Sequence, residues 1–217
     1  MIDLNVAIRH IDIPAKMKSL PISPTGFPIP WFVHIASDGI PDFRVIGRGQ
    51  VREAVSQKRC WLCGEPLGTF YAFVIGPMCS INRVSAEPPS HLDCAEYAVR
   101  ACPFLSKPNM RRNEVDMHPE KQDPAGMMVL RNPGVAAIWI SRRYDLMHVE
   151  NGTLFDVGEP ERVLWFCEGR PATRAEVMAS ISSGLPLLEA EAIKEGAEAM
   201  DDLADCFVRS QAFLPAA

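Results

Sequence analysis

The chain has 217 residues, 47% hydrophobic and 23% charged, enough apolar material for one globular domain that does not need a metal for its overall stability. A net charge of −5 argues against a general nucleic-acid binder, whose contact face would be basic. No run of about 18 apolar residues occurs, and the opening MIDLNVAIRH lacks the basic and apolar regions of a signal peptide, so a cytoplasmic protein with no membrane span is expected.

Residues 2–13 place Ile2, Leu4, Val6 and Ile8 at every second position, which predicts a strand closed by Pro14. Pro14, Pro21, Pro24, Pro28 and Pro30 then remove amide donors and fix φ, so this passage is an extended arm. Its Phe27, Trp31 and Phe32 argue that the arm packs onto the body. Residues 28–35 and 42–46 read as strands joined at Asp38-Gly39, a hairpin. Residues 51–58 are a short helix or an extended approach to the next stretch.

Five of the seven cysteines lie between Cys60 and Cys102. An odd cysteine count without a secretory signal favours reduced thiols and metal over disulfides. Cys60-Trp-Leu-Cys63-Gly64 is C-x2-C followed by glycine, the knuckle in which two thiolates grip one tetrahedral ion. Residues 70–76 and 80–85 read as a hairpin with Gly76-Pro77 near its turn. Ser90-His-Leu-Asp93 is a capping pattern that would start a helix at His91, leaving His91 and Cys94 on one face. The metal ligands read from the sequence are therefore Cys60, Cys63, His91 and Cys94, spaced C-x2-C-x27-H-x2-C, and the expected cofactor is a structural Zn²⁺. Cys102 is eight residues beyond Cys94, about 12 Å along a helix, whereas two zinc ligands lie within roughly 4 Å of each other. Cys79, beside the turn, is the alternative ligand, and Cys167 and Cys206 read as core.

Residues 103–134 carry five prolines and read as a long irregular loop with Arg111, Arg112 and His118, the length at which loops are often functional. Residues 135–141, 144–149 and 163–168 are strands of an antiparallel sheet, with a turn at Asn151-Gly152. Thr173-Arg-Ala-Glu176 is a capping box, and the helix it opens ends at Gly184 and Pro186. A last helix over 187–213, interrupted at Gly196, puts Ile193, Ala197, Met200, Ala204 and Phe207 on one face. Seven acidic residues between Glu189 and Asp205, against Lys194 and Arg209, carry the whole net charge of −5. The fold class is α+β: antiparallel strands and hairpins, a zinc module over 58–102 and C-terminal helices, in one domain over 1–217 with a soft boundary near 134.

Knuckle, hairpin and helix in this order resemble a treble-clef zinc finger. That motif serves many functions, so the resemblance implies a piece of fold and no activity. Among treble-clef proteins, His-Me nucleases use a histidine from the first hairpin, and none lies between Phe70 and Ser90 here. More widely, PIPWFV, CWLCGEPLG, FVIGPMC, EPPSHLDCAEYA and CPFL, followed by GRPATRAEV and SGLPLL, are similar to an uncharacterised family of proteins from bacteria and their phages. This implies a mobile-element setting and supplies no mechanism.

The expected function is a zinc-binding, non-enzymatic interaction protein whose partner is another protein. Two alternatives stay open. One is a nucleic-acid-associated regulator using Arg44, Arg48, Arg52, Lys58 and Arg59 with Arg111 and Arg112. The other is an enzyme, hydrolase or nuclease-like, built on a site such as Cys79 with His118.

Overall fold

A computed structural model describes residues 4–108, 110, 115, 124–126 and 132–216. Arg111, Arg112 and His118 lie outside these residues.

The described part of the fold is α+β with antiparallel sheets. Its centre is the strand β5 (Val135–Ser141), every residue of which is buried. It is flanked by β3 (Tyr71–Ile75) and β8 (Pro160–Cys167), and β9 (Arg170–Pro171) extends the sheet beyond β8. Phe73 faces Trp139 across β3 and β5, and Ala137 faces Trp165 across β5 and β8. A strand covered on both faces reads as a continuous apolar run, which explains VAAIWIS.

Alternate β5 side chains enter different cores. Val135, Ala137 and Trp139 point to the side of α2 (Pro77–Asn82) and the C-terminal helices α5 (Arg174–Glu195) and α6 (Ala197–Ser210). Ala136, Ile138 and Ile140 meet Ala95 and Val99 of α3 (Leu92–Ala101). The short helix α4 (Pro103–Ser106) follows α3. A smaller sheet joins β4 (Val84–Ser85), β7 (Gly152–Asp156) and β6 (Asp145–Val149). The hairpin of β1 (Val33–Ile35) and β2 (Pro41–Ile46) forms as the sequence implies, and α1 (Gln50–Ser56) is helical.

Four expectations are corrected. The N-terminal segment is not a strand at its described residues. Asn5 Oδ1 accepts the Ala7 amide and opens a single 3-10 turn, Val6–Ile8. Such a side-chain bond offers the backbone an alternative to a strand ladder. Residues 80–85 are not the partner strand of 70–76. Gly76-Pro77 starts α2, with proline at the first helical position, where its missing amide costs nothing. Arg83 ends α2 at φ +58°, and only Val84 and Ser85 are extended. Gly184 and Pro186 do not end α5, which continues to Glu195. Packing against α6 carries the helix through an exposed proline. The capping box at Thr173 and Glu176 is present in both directions, and Gly196 breaks the chain between α5 and α6. Finally, the N-cap of α3 is His91, not Ser90.

A candidate metal centre between the knuckle and the α3 N-terminus

The knuckle is a tight turn in an antiparallel pair. Arg59 bridges Pro66, and the Cys60 amide donates to the Glu65 carbonyl at 2.8 Å. The Gly64 amide donates back to the Cys60 carbonyl at 2.9 Å. Gly64 has φ +77°, and a β-carbon there would lie 2.6 Å from Trp31 Cδ1. Glycine is therefore required twice, for backbone conformation and for the close approach of the indole.

The other half of the site is set by the sheet. Ser90 exchanges two backbone hydrogen bonds with Ala72 of β3, at 2.8 and 3.0 Å. This pins the residue before His91 to the sheet edge. Trp61 donates its amide to the Pro89 carbonyl at 3.1 Å, which joins the knuckle to the same strand end. His91 stands at the N-cap with extended backbone and Cys94 in the first turn, so the spacing of three still turns both inward.

Cys60, Cys63, His91 and Cys94 thus meet, all buried, with one ligand atom from each within 4.8 Å of the others. Cys63 Sγ is 3.4 Å and Cys94 Sγ 4.0 Å from His91 Nδ1. Zinc bonds of about 2.3 Å to sulfur and 2.0 Å to nitrogen set tetrahedral ligand separations of roughly 3.5–3.8 Å, so the site fits such an ion. His91 Nε2 is 3.0 Å from the Pro66 carbonyl oxygen. A carbonyl only accepts, so Nε2 carries the proton and Nδ1 turns its lone pair to the sulfurs. A backbone carbonyl orienting a ligand histidine is a usual outer shell of metal sites.

The electrostatics favour thiolate at Cys60. Hydrogen bonds from the Cys63 and Cys94 thiols, with further help from the Cys63 and His91 amides, hold its thiol far below the ordinary range. Those amides lie 3.5 and 3.4 Å from Cys60 Sγ. The bond to Cys60 pushes the Cys63 and Cys94 thiols up, and burial adds to both. This set of soft donors, already polarised toward a thiolate, suits a thiophilic cation.

No family model, curated protein or solved structure matches the chain.

The spare cysteines are elsewhere. Cys79 lies on α2 and packs into the core on the far side of the sheet, because 77–82 is a helix and not the hairpin that would have brought it near. Cys102 is the C-cap of α3, at the opposite end from His91. Cys167 is a buried member of that far core, and Cys206 packs against it. The basic run is divided: Arg44 pairs with Asp42 and Arg59 with Glu53, while Arg48 and Arg52 are exposed. Sequence reasoning missed the Pro66 carbonyl and the indole of Trp31, which act through backbone geometry and close packing. The glycine after Cys63 and the aromatic residues of the arm, Trp31 among them, were their legible traces.

Proposed function

We propose that Cys60, Cys63, His91 and Cys94 hold one Zn²⁺ ion in a structural role, in a non-enzymatic protein that presents a surface to another protein. The observation that carries this reading is the closed, buried set of four ligands. Four protein ligands complete a tetrahedral zinc and leave no position for substrate or water, the arrangement of structural sites. The histidine and its carbonyl partner favour zinc over an iron–sulfur cluster, whose usual ligands are four thiolates. The treble-clef likeness narrows to a knuckle and a helix, since no hairpin forms between them.

The aromatic arm turns inward: Phe32 stacks on Trp61 at 4.8 Å, and Trp31 meets it edge-on at 6.4 Å. The neighbouring hairpin leaves Ile35, Ile40 and Phe43 exposed, an apolar surface suited to a protein partner. The motif resemblance to bacterial and phage proteins adds the proposal of an accessory factor from a mobile element.

Metal analysis of the purified chain and of Cys63→Ser tests the first part. One zinc per wild-type chain, lost in the variant together with thermal stability, is expected. Full metal retention in Cys63→Ser would sink the ligand assignment. Cross-linking capture with Phe43→Asp as the control tests the second part. The same proteins captured by both would remove the hairpin as the contact surface.

A further inference from the structure

We infer that the metal centre is a catch for the N-terminal arm (residues 4–32), so that loss of the metal frees the arm while the central sheet stays folded. This rests on the zinc reading above and goes further, assigning the site a conformational consequence.

The arm makes little regular structure of its own. Its described helical content is two single 3-10 turns, Val6–Ile8 and Ala15–Met17. Its backbone bonds are mostly short turns within the arm, and the Asn5 amide to the Gly26 carbonyl and the Ile29 amide to the Pro21 carbonyl are the ones that fold it back on itself. Its order comes from what it covers. Ile8 and Met17, 2% and 3% exposed, share one buried cluster with Cys60, Cys63 and Cys94. Leu4, Leu20 and Phe27 pack around its edge. The floor under the arm is therefore made of the proposed ligands and the face of α3 that carries Tyr97 and Ala101.

The two cores on the faces of the sheet contain no buried residue of the arm. The knuckle and the start of α3 come from separate stretches of chain, and a shared ion is the strongest link that would hold them together. Without it the floor loses its fixed shape, and the arm keeps its anchors at Trp31 and Phe32, bonded to Leu62, Gln50 and Gly47, while residues 4–30 lose the base they pack on. Coupling of this kind is reciprocal: whatever weakens arm docking weakens metal binding by the same factor.

Hydrogen exchange by mass spectrometry on the full chain, before and after stripping zinc with a chelator, tests this, with metal content measured in both samples. Protection should fall in peptides from 4–32 and 59–67 and persist over β5 and β8. A chain that takes up no zinc overturns both this inference and the zinc reading. A stripped chain whose arm stays protected overturns only the coupling. Simultaneous loss over β5 and β8 overturns the claim that the arm is released alone. As a second test, Met17→Ala should weaken zinc affinity, measured by competition with a chromogenic chelator, by up to about thirtyfold, the low end of the cost of such a truncation expressed as an equilibrium factor. An unchanged zinc affinity would overturn the coupling.

Discussion

Gly64→Ala is the sharpest probe of how the knuckle is built. The residue has φ +77°, and an L side chain there costs about 1–2 kcal/mol. The new β-carbon would also meet Trp31 Cδ1 at 2.6 Å and Cγ at 2.7 Å. The indole has little freedom to retreat. Its backbone amide is bonded to the Leu62 carbonyl at 2.8 Å, and its ring leans on Trp61. Overpacking of this kind adds about 1–3 kcal/mol. The sum is about 2–5 kcal/mol, and for a chain of this size each kcal/mol moves the melting temperature by about 2–4 °C. The matched control is Gly39→Ala in the β1–β2 turn, with φ +81° but nothing within 4 Å of its added carbon. Thermal melts in zinc-containing buffer should show a larger loss for Gly64→Ala than for Gly39→Ala. Adding Trp31→Ala to Gly64→Ala should cost less than Trp31→Ala costs alone. Equal losses for the two glycine variants would refute the argument from the indole contact.

Four further outcomes are expected. Cys79→Ser and Cys102→Ser should each keep the zinc content of wild type, measured by elemental analysis, and loss of zinc in either would show that the ligand set is wrong. Thr173→Ala should lower stability by about 1 kcal/mol in chemical denaturation, the usual cost of an N-cap, and no change would show that α5 does not depend on it. The partner residue gives the pH test. The Arg170 side chain, then the Thr173 amide and hydroxyl, hold the Glu176 carboxyl well below the usual carboxylate range. A depressed carboxylate stabilises above its unfolded value, near pH 4, and loses that contribution as pH falls. Glu176→Gln should therefore be less stable than wild type at neutral pH, with the gap closing in acid, and a gap that widens in acid would be inconsistent with this pairing. Pro186→Ala should stabilise the chain by about 1–3 kcal/mol, because the alanine amide can bond the Ser182 carbonyl within α5. A destabilised variant would mean that the proline ring is itself well packed.

The sequence signals that proved sound are those in which one residue type answers one local need. Thr173 and Glu176 face each other across a helix start, and Asp38-Gly39 turns a hairpin. The association of the four site residues was legible from spacing, even though His91 is the N-cap and not the first helical residue. That error was harmless because both assignments keep His91 and Cys94 three apart at one helix end. Where expectation failed, a punctuating residue had two meanings. Gly76-Pro77 reads equally as a turn or as a helix start, and the extension of β3 to pair with β5 decides it. Gly184 and Pro186 read as a stop, but the partners of α5 in space override them. Strand β7 was missed between two clear turns, although Thr153 and Phe155 alternate with Leu154 and Phe155 is fully buried.

The position of β5 also sets an order of assembly. Its partner β8 is reached through the compact β6–β7 hairpin, so residues 135–167 can pair locally. Its other partner, β3, must be recruited across the whole stretch from Ile75 to Val135, at a greater loop-closure cost. The Ser90 bridge that aligns His91 depends on β3. On these grounds the β5–β8 pair is expected to form first and the two halves of the metal centre to meet late, with the ion captured by a chain already largely folded. Refolding followed by pulse-labelled exchange should show β5 and β8 protected at the same rate with and without zinc, and a zinc-dependent rate there would contradict this order.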